Sequence, residues 1–281
     1  MSKYKRYERY KDSGVEWIGK IPEEWNVVRL KFLKAKPFLY GANESADIEE
    51  RDFPRFIRIT DIDSNGNLRK DIFKSLPWET AKPYLLKEGD VLFARSGATV
   101  GKTFIYKKSL GPACFAGYLI KFEANINKVI PNYVYYFTLS WQYDKWVKQS
   151  TIQATIQNVS AEKYGNLFVP LPSIQQQKMI VRYIDQKTAE IDDLIADKEK
   201  LIELLQEKRQ AIITEAVTKG LNPNVRMKDS GIEWIGEIPE HWEVKPLKRI
   251  FKIVNGGTPS SSEESYWNGE IVWVTPNDLS K

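Results

Sequence analysis

Cysteine and histidine are scarce in this sequence. It holds one cysteine, Cys114, and one histidine, His241. A single cysteine excludes an internal disulfide and fits a reducing cytoplasm. A single histidine leaves almost nothing for zinc ligation or for a Ser/His/Asp triad. No apolar run approaches the ~20 residues that a membrane span requires. Residues 1–11 are polar and basic, without the apolar centre of a secretion signal. There is no Asn/Asp-Pro-Pro-aromatic tetrapeptide to hold a flipped base for amino-methylation, and no glycine-rich methyl-donor loop after a strand. Two other motifs imitate catalytic ones and fail. Ser96-Gly-Ala-Thr-Val-Gly-Lys-Thr103 has serine where a phosphate loop needs its first glycine. It leads into Phe104-Ile-Tyr106, a strand pattern, whereas a phosphate loop must open a helix. Glu243-Val-Lys245 resembles the tail of a metal-dependent nuclease motif, but its counterpart in an earlier copy of the same segment is Asn26-Val-Val28. The expectation is a chain without a catalytic centre or a bound cofactor.

What is present is an ordinary globular composition, 42% hydrophobic and 28% charged, over 281 residues. Net charge is +5 and unevenly spread. Residues 1–170 hold 27 Lys/Arg against 19 Asp/Glu, a surplus of +8, while residues 171–281 hold 15 against 18, a deficit of −3. The first part is the one suited to a polyanion.

An internal repeat is the strongest signal. Lys11-Asp-Ser-Gly-Val-Glu-Trp-Ile-Gly-Lys-Ile-Pro-Glu-Glu-Trp25 returns as Lys228-Asp-Ser-Gly-Ile-Glu-Trp-Ile-Gly-Glu-Ile-Pro-Glu-His-Trp242, and Asp61-Ile62 aligns with Asp278-Leu279 in the same register. The second copy matches only the opening of the first, so it lacks most of the first copy's core and is not expected to fold as the first does. Either the chain is a truncated product or another molecule completes its tail.

Between the copies lies a long helix pattern from Pro172 to Gly220. Ser173 and Gln176 form a capping box, and Gly220 is placed for the left-handed C-terminal position, with Pro223 beyond. Ile180, Ile184, Ile191, Leu194, Leu201, Leu205 and Ile212 fall on heptad a/d positions. Adjacent pairs such as Leu194–Ile195 and Leu204–Leu205 widen the stripe beyond a two-stranded seam. A surface helix packed on its own domain is one reading; a coiled-coil-type spacer with a helical partner is the other, and the length and flanking repeat favour it. The partner face is then Ile184, Ile191, Leu194, Leu201, Leu205 and Ile212.

Short strand patterns fill the first module: Phe56–Thr60, Val91–Ala94, Phe104–Tyr106, 115–122 and 168–172. Residues 71–79 read as loosely structured, and residues 132–146 as one aromatic-rich helix. The expected fold class is α+β: a mixed α/β domain over 1–170, a long spacer helix over 171–220, and the start of a second, incomplete domain over 221–281.

Two polar loops stand out. The glycine loop offers Arg95, Ser96, Thr99 and Lys102; as structure alone it is a hairpin tip. Gln153-Ala-Thr-Ile-Gln-Asn-Val-Ser160 offers Gln153, Thr155, Gln157 and Asn158. Arg and Lys can bond guanine edges and Asn and Gln adenine edges, so such loops can read bases; they can also be merely solvated. Arg58 and Thr60, at the polar end of a strand pattern, join them as candidate DNA contacts. The basic arm of Lys3, Lys5, Arg6, Arg9 and Lys11 suits backbone phosphates or plain solvation.

Taken together, several pieces resemble the specificity subunits of type I restriction–modification enzymes. They are residues 14–25, Arg58-Ile-Thr-Asp-Ile62, Gly89-Asp-Val-Leu-Phe-Ala-Arg-Ser-Gly-Ala98 with Val100-Gly-Lys102, Thr155-Ile-Gln-Asn-Val-Ser160, and Val169-Pro-Leu-Pro172 followed by Gln177 and the helix. The resemblance implies a non-catalytic cytoplasmic protein that binds double-stranded DNA. Each target-recognition domain would take one half of a bipartite site. The helix would set the gap and dock methyltransferase subunits, with motor-nuclease subunits joining that core. S-adenosylmethionine, ATP and Mg are then expected in the partner subunits. A lone helix implies that two copies could pair as a homodimer. The alternatives are the recognition fragment of a single-chain methyltransferase-endonuclease and a coiled-coil scaffold without a DNA role.

Overall fold

The computed structural model describes residues 7–63, 66–151, 158–267 and 269–279. It divides into two compact units, Met1–Leu194 and Ile195–Lys281. Among the described residues no helix is long and apolar enough to cross a membrane.

The strands of the first unit are β1 (Tyr10–Asp12), β2 (Lys20–Pro22), β3 (Asn26–Arg29), β4 (Leu39–Tyr40), β5 (Arg55–Ile57), β6 (Val91–Ala94), β7 (Thr103–Ile105), β8 (Ala113–Phe115), β9 (Leu119–Phe122) and β10 (Phe168–Leu171). Its helices are α1 (Trp78–Ala81), α2 (Pro131–Thr138), α3 (Trp141–Thr151) and α4 (Ala161–Gly165), and α5 (Ile174–Lys219) begins in it. The domain is α+β and a long helix follows it.

The central sheet runs β4-β9-β6-β7, antiparallel throughout. Strand side chains alternate between faces, and here both faces are covered. Val91 and Phe93 of β6 enter one core cluster with Ile120 and Phe122, while Leu92 and Ala94 enter another with Phe104 and Leu119. That double burial explains why Val91–Ala94 is a continuous apolar run rather than an alternating one. Helices α2 and α3 cover the first face through Tyr133, Val134, Tyr143 and Val147. Strand β5 pairs in parallel with β8, and β3 pairs antiparallel with β10, joining the two ends of the domain. Pro170, which has no amide proton, sits in β10, whose only strand partner among the described residues is β3.

Three expected elements come out differently. The helix expected over 132–146 is two. Ser140 caps α3, its hydroxyl accepting from the Tyr143 amide at 3.4 Å and donating to the Phe137 carbonyl at 2.7 Å. The strand expected over 115–122 breaks into β8 and β9 around Gly117, where a Cβ would lie 2.0 Å from Asn43 Oδ1. The strand expected from Phe56 stops at Ile57, and Ile59–Asp61 forms a 3₁₀ turn.

Helix α5 is continuous over 46 residues, about 69 Å at 1.5 Å per residue. Its capping box is formed: the Gln176 amide donates to Ser173 Oγ at 3.3 Å, and the Ser173 amide to Gln176 Oε1 at 3.1 Å. Gly220 takes φ +76° beyond its end, as the sequence predicts.

In the second unit the repeat rebuilds its first motif bond for bond. Strands β11 (Met227–Asp229) and β12 (Glu237–Pro239) pair as β1 and β2 do. The Gly14 and Gly231 amides donate to Asp12 and Asp229 at 2.8 and 2.9 Å. The Ser13 and Ser230 amides each donate to the carbonyl of a later glycine, Gly19 and Gly236, at 3.0 Å. Packing is not reproduced. Trp17 is 8% exposed and Trp234 85%; Leu30 is fully buried and its counterpart Leu247 is 66% exposed. Ile238 and Pro239 are the buried apolar residues of this unit among those described.

Candidate nucleic-acid interface

The glycine loop is the connection from β6 to β7, a hairpin between two central strands. Its shape is set from within. Gly97–Thr99 makes a 3₁₀ turn, the Gly101 amide donates to the Ala94 carbonyl at 3.1 Å, and the Ala94 amide donates to the Lys102 carbonyl at 2.8 Å. Gly101 has φ +85°, and a Cβ there would lie 2.7 Å from a methyl of Val147 on α3. Only glycine meets both demands.

Two buried phenols brace this loop. Tyr143 donates to the Gly101 carbonyl at 2.9 Å and Tyr164 to the Ala94 carbonyl at 2.6 Å. Burial, the first cause, pushes both phenols well above the ordinary tyrosine value, so both remain O–H donors.

The second polar segment meets the first. Ser96 and Asn158 form an antiparallel bridge, and the Val159 amide donates to the Arg95 carbonyl at 2.8 Å. Thus Arg95, Ser96, Thr99, Lys102 and Asn158 share one end of the central sheet. Lys102 and Asn158 are exposed and Arg95 is half-buried. Thr99 turns its hydroxyl to the Ser96 carbonyl at 3.5 Å. Gln153, Thr155 and Gln157, like Lys3, Lys5 and Arg6 of the basic arm, lie outside the described residues.

A residue that sequence reasoning missed joins this group. The Arg95 guanidinium lies over the Tyr40 ring, 4.9 Å from its centroid, and the Tyr40 hydroxyl accepts from the Ala161 amide at 3.1 Å. Nothing local in the sequence marks the pair, because Tyr40 comes from β4 and Arg95 follows β6.

Arg58 and Thr60 are committed elsewhere. Arg58 Nη2 donates to Asp61 Oδ1 at 2.7 Å, Nε reaches both carboxylate oxygens at 3.1 Å, and the Arg58 amide donates to Oδ2 at 3.0 Å. The Asp61 side chain is 2% exposed and that of Arg58 30%. The carboxylate engages Nε and Nη2, so the turn itself fixes the direction of this guanidinium. The Thr60 hydroxyl is drawn to the same carboxylate at 3.3 Å.

The start of α5 is pinned to the domain by Gln177, which is fully buried. Its Oε1 accepts from the Ile130 amide at 2.8 Å, and its Nε2 donates to the Pro172 carbonyl at 2.9 Å. Tyr136 on α2 donates to Asp185 a few turns along. Ile180 packs on the domain core and Ile184 is half-buried. Beyond them Ile191, Leu194, Leu201, Leu205 and Ile212 are all exposed, as are Ile195, Ile202, Leu204 and Ile213. The stripe is bare. Among the described residues no group of three or more His, Cys, Asp or Glu side chains could hold a metal ion.

Comparison with known proteins agrees with this architecture. The type I restriction modification DNA specificity domain matches residues 22–204. The chain is 28% identical over 275 residues to the type I restriction enzyme MjaVIII specificity subunit of Methanocaldococcus jannaschii, covering 92% of this chain and 59% of that one. It is 29% identical over 255 residues to the putative MjaX specificity subunit of the same organism, covering 87% and 57%. It therefore spans a little under three fifths of the length of either relative. A chain in a solved structure concerned with complex assembly and conformational transition of the type I R-M system shares the fold, with a TM-score of 0.51 at 18% identity, over 75% of this chain and 55% of that one. The family match covers most of the first domain, the polar loops at its sheet end and the first part of α5, and this chain belongs to the type I restriction–modification DNA specificity domain family.

Proposed function

We propose that the domain over 1–170 reads one half of a bipartite site in duplex DNA and performs no chemistry itself. The observation that carries this reading is the Ser96–Asn158 bridge. Two polar segments far apart in sequence converge at one sheet end of the part of the chain with the positive surplus. Arg95, Ser96, Thr99, Lys102 and Asn158, with Gln153, Thr155 and Gln157, form the base- and phosphate-contacting set. Arg58 and Thr60 shape the turn after β5. Lysines and arginines around these loops neutralise phosphates and make affinity salt-dependent.

The spacer, residues 171–220, offers Ile184, Ile191, Leu194, Leu201, Leu205 and Ile212 to a second helix and to methyltransferase subunits, with motor-nuclease subunits added to that core. Two copies paired helix to helix present two identical domains to a symmetric, interrupted site. Residues 221–281 begin a second recognition domain. S-adenosylmethionine, ATP and Mg act in the partner subunits.

The test is fluorescence anisotropy of a labelled random duplex with the purified chain. Binding at low salt should weaken by about a hundredfold or more between roughly 50 and 200 mM salt if four phosphates are contacted. No binding at low salt would leave the chain a coiled-coil scaffold. Methylation of the duplex by the chain alone would make it an enzyme.

A further inference from the structure

The arginines of the first unit differ in what occupies their guanidinium groups. Arg55 donates to the carbonyls of Arg69 and Ile72 at 2.9 and 2.8 Å. Arg58 is bonded to Asp61, and Arg69 pairs with Asp71 at 3.2 Å. Arg95 has neither a carboxylate nor a carbonyl partner among the described residues. Its Nε is out of reach of solvent and without a hydrogen-bond partner among the described residues, and its guanidinium carbon lies over the Tyr40 ring.

Tyr40 is itself fixed. Its hydroxyl is bonded to the Ala161 amide. Its neighbour Gly41 runs so close to β8 that a Cβ would lie 2.3 Å from the Phe115 and Ala116 carbonyl oxygens. The Arg95 backbone is held on both sides, its amide donating to the Tyr118 carbonyl at 3.0 Å and its carbonyl accepting from Val159. Phosphate oxygens can also accept from the arginine fork, but a mobile lysine serves them as a point charge and no prior placement is needed. An arginine whose backbone is held and whose guanidinium is packed on a ring before binding is suited to a planar partner with two acceptors side by side. Guanine presents that pair, O6 and N7, in the major groove. Adenine presents N7 beside an N6 donor, which would face the guanidinium donors with nothing to accept them.

We infer that Arg95, packed over the ring of Tyr40, reads a guanine in the half-site through its two terminal nitrogens, with Tyr40 as its positioning residue. This rests on the DNA-reading proposal above and names one base in the target.

The experiment is selection from a random duplex pool by the purified 281-residue chain, with the enriched sequences read for wild type, Arg95→Ala, Arg95→Gln, Tyr40→Leu and Tyr40→Phe. Thermal melts run alongside. Wild type should enrich a motif containing a guanine whose preference falls about 5- to 150-fold in Arg95→Ala, with other positions unchanged. Arg95→Gln should move that position towards adenine and keeps a side chain in the space if the alanine variant fails to fold. Tyr40→Leu should weaken the same position alone, and Tyr40→Phe, which keeps the ring, should weaken it less. A uniform loss of affinity with the motif intact and a salt slope lower by about one would make Arg95 a phosphate contact and overturn the inference. An unchanged guanine preference in Tyr40→Leu would remove Tyr40 from it. A wild-type chain that enriches no motif would instead defeat the DNA-reading proposal itself.

Discussion

Asp61 has two tasks in the turn after β5, and the repeat separates them. Its carboxylate accepts the Arg58 amide and also the Arg58 guanidinium. At the equivalent place Asp278 accepts the Thr275 amide at 2.8 Å, with threonine where arginine stands in the first copy. The backbone bond builds the turn in either copy; the arginine is an addition. Asp61→Ala should therefore cost about 1.5–3 kcal/mol in urea unfolding, the range for hydrogen bonds to a charged group. Arg58→Ala should cost less, since its side chain is nearly a third exposed and screened, and should leave sequence choice in the duplex selection unaltered. Cys114 offers a second residue-scale reading. Burial pushes its thiol up to about 12. The stability linked to that neutral thiol is complete below the ordinary cysteine value, about 8.5. It is lost as pH rises from there towards 12, because the unfolded chain ionises first. Because the Cys114 side chain is fully buried, alkylation by iodoacetamide at pH 8 should proceed only through opening of the fold and run far slower than in the urea-unfolded chain. Labelling of Cys114 then reports unfolding of the first unit.

At the scale of elements, the junction between the domain and α5 depends on an amide that helical periodicity does not mark, although Gln177 is among the residues that carry the family resemblance. Gln177 falls among three consecutive glutamines and reads as one polar position of an amphipathic helix; in the fold it is buried and joins Ile130 to Pro172. Gln177→Leu should strand the buried Ile130 amide at a cost of about 1–3 kcal/mol. Hydrogen exchange should accelerate over the first turns of α5 while its exposed remainder is unchanged. The elements legible beforehand share one property: their determinants are local. Ser173 and Gln176 cap α5 within one turn, and Val91–Ala94 is a strand because four apolar residues sit between turn signals. Of the elements misjudged, one had a distant determinant: the run 115–122 breaks because Gly117 must pass Asn43. The other two were local but masked by their neighbours. β5 ends where Asp61 turns back on Arg58, three residues away, within an alternating apolar run, and Ser140 is a cap among aromatic residues that favour continuing the helix. The candidate site divides the same way. Its loops were visible from glycine and polar composition, but Tyr40 was not, because β4 is far from β6 in sequence.

On the scale of the whole chain, the two copies of one segment separate what hydrogen bonds achieve from what packing achieves. The hairpin of β11 and β12 forms with the same turn bonds as its twin, yet Trp234 and Leu247 stay exposed where Trp17 and Leu30 are buried. Local bonding is sufficient for the motif, and burial requires the rest of a domain. The same logic governs α5. Its first turns are covered by the domain through Ile180 and Gln177, while Leu201 and Leu205 have an exposed stripe around them and contribute little to the monomer. Replacing both with lysine should change unfolding free energy by no more than about 0.5 kcal/mol, the usual range for exposed positions. Association is another matter. Charges at two adjacent seam positions would have to be desolvated when a second helix packs, so the substitution should abolish pairing. Sedimentation velocity across a concentration series distinguishes the cases: a wild-type dimer and a folded monomeric double variant are expected. A wild-type chain that stays monomeric at micromolar concentration, with or without a methyltransferase subunit, would remove helix-to-helix pairing and leave the stripe to a different partner.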